Sequence, residues 1–288
     1  MLPFFVRLLT SLPLLSLMAT TPVPPTRIVD SVTGNPIPYG SAGIKNKPIG
    51  TVADSLGRFS TERLQGAALT DTLVVSCVGY LSQKVAVADL AKLSEIRLEP
   101  QVQALTEVVV RGAGWKRHSI GRNGAWGLTY YNFHLATDQM PASKLGREVG
   151  TILHMKANSF VEDAHFYIGR NNFKNLKFRL NVRALNSEDH PSVALLTRDV
   201  IFSVPNQASG WQHIDLRAYD INVGVHARVA VTLEWLDGAP DNQAEWSALL
   251  VPAALSATHR MVFRDKSEDQ WKVQPLNLSL YVTVLSPN

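Results

Sequence analysis

From Arg27 onward, apolar and polar positions alternate in short runs broken by Gly, Pro, Asn and Asp, the pattern of antiparallel strands joined by turns. The spacing predicts strands near Arg27–Asp30, Tyr39–Lys45, Arg58–Thr61, Asp71–Val78, Gln83–Val87 and Glu95–Leu98. In the fourth, Leu73, Val75 and Cys77 fall on one face and Val74, Ser76 and Val78 on the other, because side chains alternate along a strand. Val87–Leu93 reads either as one helical turn or as a loop. Farther on, alternating runs recur at Phe166–Ile168, Lys177–Arg183, His213–Leu216, Ala227–Trp235 and Leu276–Leu285. Val229, Val231, Leu233 and Trp235 share a face, as do Leu276, Leu278, Leu280, Val282 and Val284, which predicts core strands. No sustained 3.6-residue apolar period occurs in this second region. An all-β chain of two sandwiches is expected, the second and larger one of jelly-roll type.

The 288 residues suffice for two domains. Residues 26–100 form the first expected domain, 101–123 a linker carrying the basic group Lys116, Arg117, His118 and Arg122, and 124–288 the second domain. Residues 1–21 have the layout of a secretory signal peptide: Arg7, a leucine-rich run interrupted by Pro13 and too short to span a bilayer, then Ala19, Thr20 and Thr21. Export to the periplasm, the outer membrane or the medium is therefore expected, with no transmembrane segment after signal cleavage. No cysteine follows the run, which disfavours a lipid anchor, and the one cysteine, Cys77, has no partner for an internal disulfide. A composition 45% hydrophobic and 18% charged is that of a globular chain. The net charge of +4 is too mild a balance to imply nucleic acid.

Three stretches in succession carry a family resemblance: Asp30, Gly34, Pro36, Pro38 and Tyr39; then Gly50, Asp54, Gly57 and Phe59; then Asp71, Leu73, Val75, Gly79 and Tyr80. Over roughly residues 26–110 the chain resembles the carboxypeptidase-like regulatory domain of Bacteroidetes envelope proteins. The resemblance implies a transthyretin-like sandwich of seven strands without catalytic machinery. The residues also have their own turn chemistry, Gly34 supplying positive φ in a hairpin and Asp54, in the turn that reaches Gly57, accepting backbone N–H groups. Thr26 stands where the family usually opens with Gly. Glu107–Val110 resembles the segment after this domain in TonB-dependent transporters, but the remainder of the chain is too short for their barrel, so the domain is carried over and the transport is not. The second region resembles jelly-roll accessory domains more faintly, through Phe173–Val182, Gly210–Leu216 and Glu234–Trp235.

No local catalytic signature stands out. The 8 histidines include no His-Glu-x-x-His, and no Gly-x-Ser-x-Gly elbow, phosphate loop or dinucleotide fingerprint occurs. No catalytic residue, metal or cofactor is expected. His213 and Asp215 share a strand face and read as a surface pair rather than part of a triad. Asp237, Asp241 and Glu245 offer oxygens for calcium or are ordinary loop charges. Aromatic platforms are the better candidates, since flat rings stack on sugars. Trp126, Tyr130, Trp211 and Trp246 are the candidate ligand-binding residues, with Tyr131 and Trp271 in the same wider group and Trp235 assigned to the core.

A non-catalytic exported envelope protein is the expectation, with carbohydrate or an envelope protein as partner through the second sandwich. Two alternatives stay open: an accessory of a TonB-dependent uptake system, and a hydrolase with its site in the second domain. Oligomeric state is not legible.

Overall fold

The computed structural model describes residues 25–101, 114–136, 144–241 and 247–288. The signal-like segment, Glu107–Val110, Trp246 and Glu245 lie outside them. Among the described residues no helix is long and apolar enough to cross a membrane.

The first sandwich contains β1 (Thr26–Asp30), β2 (Ser41–Ile44), β3 (Gly50–Val52), β4 (Arg58–Phe59), β5 (Thr72–Ser76), β6 (Gln83–Ala86) and β7 (Glu95–Leu98). They form two sheets, β4-β1-β7 and β3-β2-β5-β6, seven strands in all. β1 runs parallel to β7 and antiparallel to β4. Ile28, Ala42, Ile44, Phe59, Leu73, Val75, Ile96 and Leu98 make the core between them. The undecided Val87–Leu93 stretch is a 3-10 turn over Val87–Lys92 that buries Leu90. β3 was not foreseen, because Gly50–Val52 is short and carries one large apolar side chain. Its glycine answers to packing: a Cβ on Gly50 would stand 2.7 Å from the Ala42 carbonyl oxygen.

Asp30 shows how turn residues hold this domain. Its Oδ1 accepts the backbone N–H groups of Val32 and Thr33, and its Oδ2 accepts the Tyr80 hydroxyl at 3.0 Å. Gly34 and Gly57 both take φ of +71°, as their turns require.

The second sandwich runs from β8 (Lys116–Gly121) and β9 (Thr129–Ala136) through β10 (Glu148–His154), β11 (Phe160–Ile168), β12 (Arg170–Asn171), β13 (Phe173–Leu185), β14 (Pro191–Ala194) and β15 (Val200–Val204). It continues with β16 (Gly210–Asp215), β17 (Ile221–Asn222), β18 (Arg228–Pro240), β19 (Ser247–Leu255), β20 (Arg260–Arg264), β21 (Lys272–Gln274), β22 (Leu276–Leu278) and β23 (Leu280–Ser286). One sheet has the order β14-β13-β18-β10-β20-β21, with β15 also on β13. Facing it are β16-β11-β23-β8 and β12-β19-β22, with β17 on β11 and β9 on β19. All these pairings are antiparallel, as expected for a jelly-roll-type sandwich. Phe133, Phe166, Phe173, Phe178 and Trp235 fill the middle, alongside Val229, Val231, Leu233, Leu278, Leu280, Val282 and Val284. Trp235 is in the core as its phase requires, its Nε1 donating to the Asp237 carbonyl at 2.9 Å.

One boundary differs from the sequence reading. Lys116–Gly121, placed in the linker, is a strand paired along its length with β23. Its first four side chains are exposed, so this edge strand shows no apolar face and reads as polar linker. The apolar run Leu276–Leu285 also divides at Ser279, β22 pairing with β19 and β23 with β11.

The two sandwiches meet through the outer face of β2. All four of its residues are buried, Ala42 and Ile44 in their own core and Ser41 and Gly43 against the second sandwich. A Cβ on Gly43 would stand 2.5 Å from Ser267 Oγ and 2.9 Å from the Glu268 amide, so glycine is required there. Asn46 donates its backbone N–H to the Glu268 carbonyl, and Tyr39, Val52 and Leu236 make a small apolar contact.

Candidate functional site

The outer face of β16-β11-β23 gathers an unusual set of rings. A bulge between Val161 and Asp163 resets the alternation of β11. Ala164, Phe166 and Ile168 then point into the core, while Asp163, His165 and Tyr167 point outward. On β16, Ile214 is inward and Trp211, His213 and Asp215 are outward; on β23, Tyr281 and Thr283 are outward between buried Leu280, Val282 and Val284. The register sets Tyr167 opposite Trp211, His165 opposite both His213 and Tyr281, and Asp163 opposite Asp215.

Cross-strand neighbours therefore touch. The rings of His165 and Tyr281 stack at 4.3 Å with 7° between their planes, and those of His165 and His213 lie 4.7 Å apart at 24°. Trp211 stands nearly at right angles to Tyr281 at 5.1 Å and to Tyr167 at 5.4 Å. His213 Nε2 lies 2.9 Å from Asp163 Oδ1. Burial and then the neighbouring His213 push the His165 imidazole below its usual pKa. Asp215 takes a different partner, binding the Arg217 guanidinium at 2.5 Å and held well below the usual carboxylate range by that hydrogen bond.

Of the four candidate residues, only Trp211 joins this cluster among the described residues. Trp126 is 84% exposed on the approach to β9, its carbonyl accepting from Arg122. Tyr130 is half-exposed on β9, against Gly169. Trp246 lies outside the described residues. Tyr131 packs edge-on to Phe133, and Trp271 carries the Arg264 guanidinium 4.5 Å above its ring. Tyr167, His165 and Tyr281 were missed; the signal that could have found them was the period-2 alternation of rings with Ala164, Phe166, Leu280 and Val282.

A second feature is the cleft between the sandwiches, about 370 Å³, lined by Ser41, Cys77, Tyr80, Arg179, Asn181, Arg183, Glu234, Arg264, Ser267, Glu268 and Trp271 among others. Arg179 lies across its floor. It donates to Glu234 Oε2 at 2.8 Å, to Asp199 Oδ1 and Oδ2 at 2.6 and 3.0 Å, and across the junction to the Tyr39 carbonyl at 2.8 Å. Ser41 completes the junction by donating to Glu234 Oε1 at 2.7 Å. Beside it Glu148 accepts from Thr232, from Asn181 at 2.9 Å and from Arg264 at 2.6 and 2.9 Å. Burial alone would raise the Glu148 carboxyl, but Arg264 and then Arg183 outweigh it and hold the group at about 2. Asn181 Oδ1 and Ser267 Oγ are buried without a hydrogen-bond partner among the described residues, so the cleft suits water or a small polar group.

Little here resembles a nucleophile. Burial and then Asp199 push the Cys77 thiol up to about 12, which keeps it protonated near neutrality. Ser256 Oγ accepts the backbone N–H of His259 at 2.9 Å, as a turn cap does. Of the loop oxygens, Asp237 Oδ1 accepts the Gly238 N–H and Asp241 binds Lys174 at 3.1 Å, which commits both locally.

Comparison with known proteins assigns the first sandwich. Residues 27–110 match the model of the CarboxypepD_reg-like domain, in agreement with the resemblance read from the three motifs. The curated proteins contain no match. Among solved structures, the cysteine protease and lectin-like domains of Cwp84, a surface layer associated protein of Clostridium difficile, overlay with a TM-score of 0.37 at 7% identity, covering 85% of this chain and 50% of that one. The clostridial cysteine protease Cwp84 after propeptide cleavage gives 0.36 at 8%, covering 86% and 66%. This chain thus spans half the length of the first, and likeness at that level assigns it no activity.

Proposed function

We propose that this chain is a non-catalytic, exported binding protein of the cell envelope, whose second sandwich holds carbohydrate on the row formed by Tyr167, Trp211, Tyr281 and His165. The observation that carries the reading is that row: four rings from three adjacent strands in mutual contact on the side of the sheet turned away from the core. The exposed Trp211 ring, flanked by Tyr167 and Tyr281, takes up the apolar side of a sugar. The Tyr hydroxyls and the nitrogens of His165, whose faces are stacked on Tyr281 and His213, supply donors and acceptors for its hydroxyl groups. The CarboxypepD_reg-like domain supports the non-catalytic part, and its polar junction with the second sandwich fits a rigid mount for the binding face.

The test uses the purified chain on an oligosaccharide array, followed by titration of the retained glycan against Trp fluorescence. Trp211→Ala and Tyr281→Ala are each expected to weaken binding about fivefold, since loss of one stacking contact is worth on the order of 1 kcal/mol. Retention of no glycan together with turnover of a peptide or ester panel would replace this reading with the hydrolase. Co-purification with an outer-membrane transporter, again without glycan binding, would replace it with the uptake accessory.

A further inference from the structure

We propose that Asp163, His165 and His213 form a binding site for a divalent transition-metal ion of the zinc class. It does not rest on the glycan reading, because none of the three needs a sugar for its role. Asp163 and His165 stand two apart on β11, hence on one face, and His213 is directly opposite His165 on β16. Two ladder-bonded strands thus present three ligands from fixed backbone positions. One potential ligand atom from each residue lies within 4.8 Å of the others, and His213 Nε2 is already 2.9 Å from Asp163 Oδ1.

Tetrahedral zinc with bonds near 2.0–2.1 Å requires donors about 3.4 Å apart. Reaching that spacing requires the His165 and His213 rings, stacked 4.7 Å apart at 24°, to turn about their side-chain torsions until their nitrogen lone pairs converge, and the His213–Asp163 contact to open slightly. Two imidazole nitrogens and one carboxylate oxygen are a donor set for zinc, nickel or copper rather than for calcium or magnesium, which prefer oxygen. The surroundings support the arrangement. His165 is stacked on both Tyr281 and His213, so the adjustment falls mainly on the exposed His213 and on Asp163, and Asp215, the other nearby carboxylate, is occupied by Arg217. His213 is exposed, so solvent reaches the site and a fourth position is open to water or to an oxygen of a bound molecule.

The experiment uses the full chain, free of any histidine tag and stripped with chelator, titrated with Zn2+ by calorimetry and with Co2+ by visible absorption. The expected result is one ion per chain, a Co2+ spectrum of a low-coordinate nitrogen and oxygen site, and joint displacement of the His165 and His213 ring resonances on adding Zn2+. His165→Ala, His213→Ala and Asp163→Asn should each weaken Zn2+ binding at least about tenfold, while His190→Ala, outside the cluster, should leave it unchanged. Since His213 is exposed, His213→Ala is expected to keep the near-UV circular dichroism and melting temperature of the stripped wild type. Absence of stoichiometric binding by the wild type overturns the proposal. So does binding of wild-type strength in the His213→Ala and Asp163→Asn variants.

Discussion

Replacing Arg179 with methionine tests whether the two sandwiches are locked by one buried charge. The side chain is 3% exposed, and so is its partner Glu234. The substitution keeps much of the apolar stem but removes the guanidinium. Glu234 is then left with Ser41 as its hydrogen-bonded donor, the Tyr39 carbonyl loses a donor, and Asp199 loses two bonds. Breaking a buried pair from one side typically costs about 3–5 kcal/mol, because the surviving charge stays desolvated. At roughly 2–4 °C per kcal/mol for a domain of this size, the melting temperature should fall by about 10 °C. Urea unfolding followed by both Trp fluorescence and far-UV circular dichroism measures the loss. Arg179→Met with Glu234→Leu should recover a substantial part of it, since the orphaned carboxylate leaves with its partner, giving an interaction energy of about 2 kcal/mol in the cycle. A single variant within about 1 kcal/mol of wild type, or strictly additive effects, would refute the reasoning.

The same junction yields a steric prediction: Gly43→Ala puts a methyl 2.5 Å from Ser267 Oγ and 2.9 Å from the Glu268 amide, and should cost about 1–3 kcal/mol by urea unfolding. Adding Ser267→Gly should return only part, because the backbone contact persists. Acid stability offers a third: the Glu148 pKa is depressed from 4.5 to about 2, so its contribution is complete above pH 4.5 and is lost as pH falls toward 2. Glu148→Gln should therefore be less stable than wild type at pH 7, with the difference shrinking below pH 4.5; a constant gap from pH 7 to 2 would show that the carboxylate does not titrate as described.

How far such features were legible follows from what alternation encodes. Leu73 and Val75, or Val229 through Trp235, announce a core face because burial there is apolar, and the turns at Gly34 and Gly57 announce themselves by residue type. The strand Lys116–Gly121 was illegible because its pairing is carried by backbone groups, to which side-chain pattern is blind. Asn181 and Arg183, between the core residues Leu180, Val182 and Ala184, read as an ordinary solvent face. Nothing local says that Arg179 on that face is covered by another sandwich, since the partner residues Tyr39 and Ser41 lie about 140 positions earlier.

The outward ring cluster shows the same limit from the other side. His213 and Asp215 were linked by sequence proximity, yet register sets His213 directly opposite His165, on which it stacks and from which it reaches the diagonal Asp163, while Asp215 binds Arg217. An i, i+2 pair shares a face, but side chains directly opposite across a ladder stand closer together, and that neighbour is chosen by register. Here the register depends on the bulge between Val161 and Asp163, one extra residue that turns Asp163, His165 and Tyr167 outward together. Glu162, the residue it absorbs, is buried against Arg117 of β8 at 2.6 Å. The ring row and the metal ligands thus depend on a single irregularity, held in place by an ion pair to the edge strand that the alternation of side chains could not reveal.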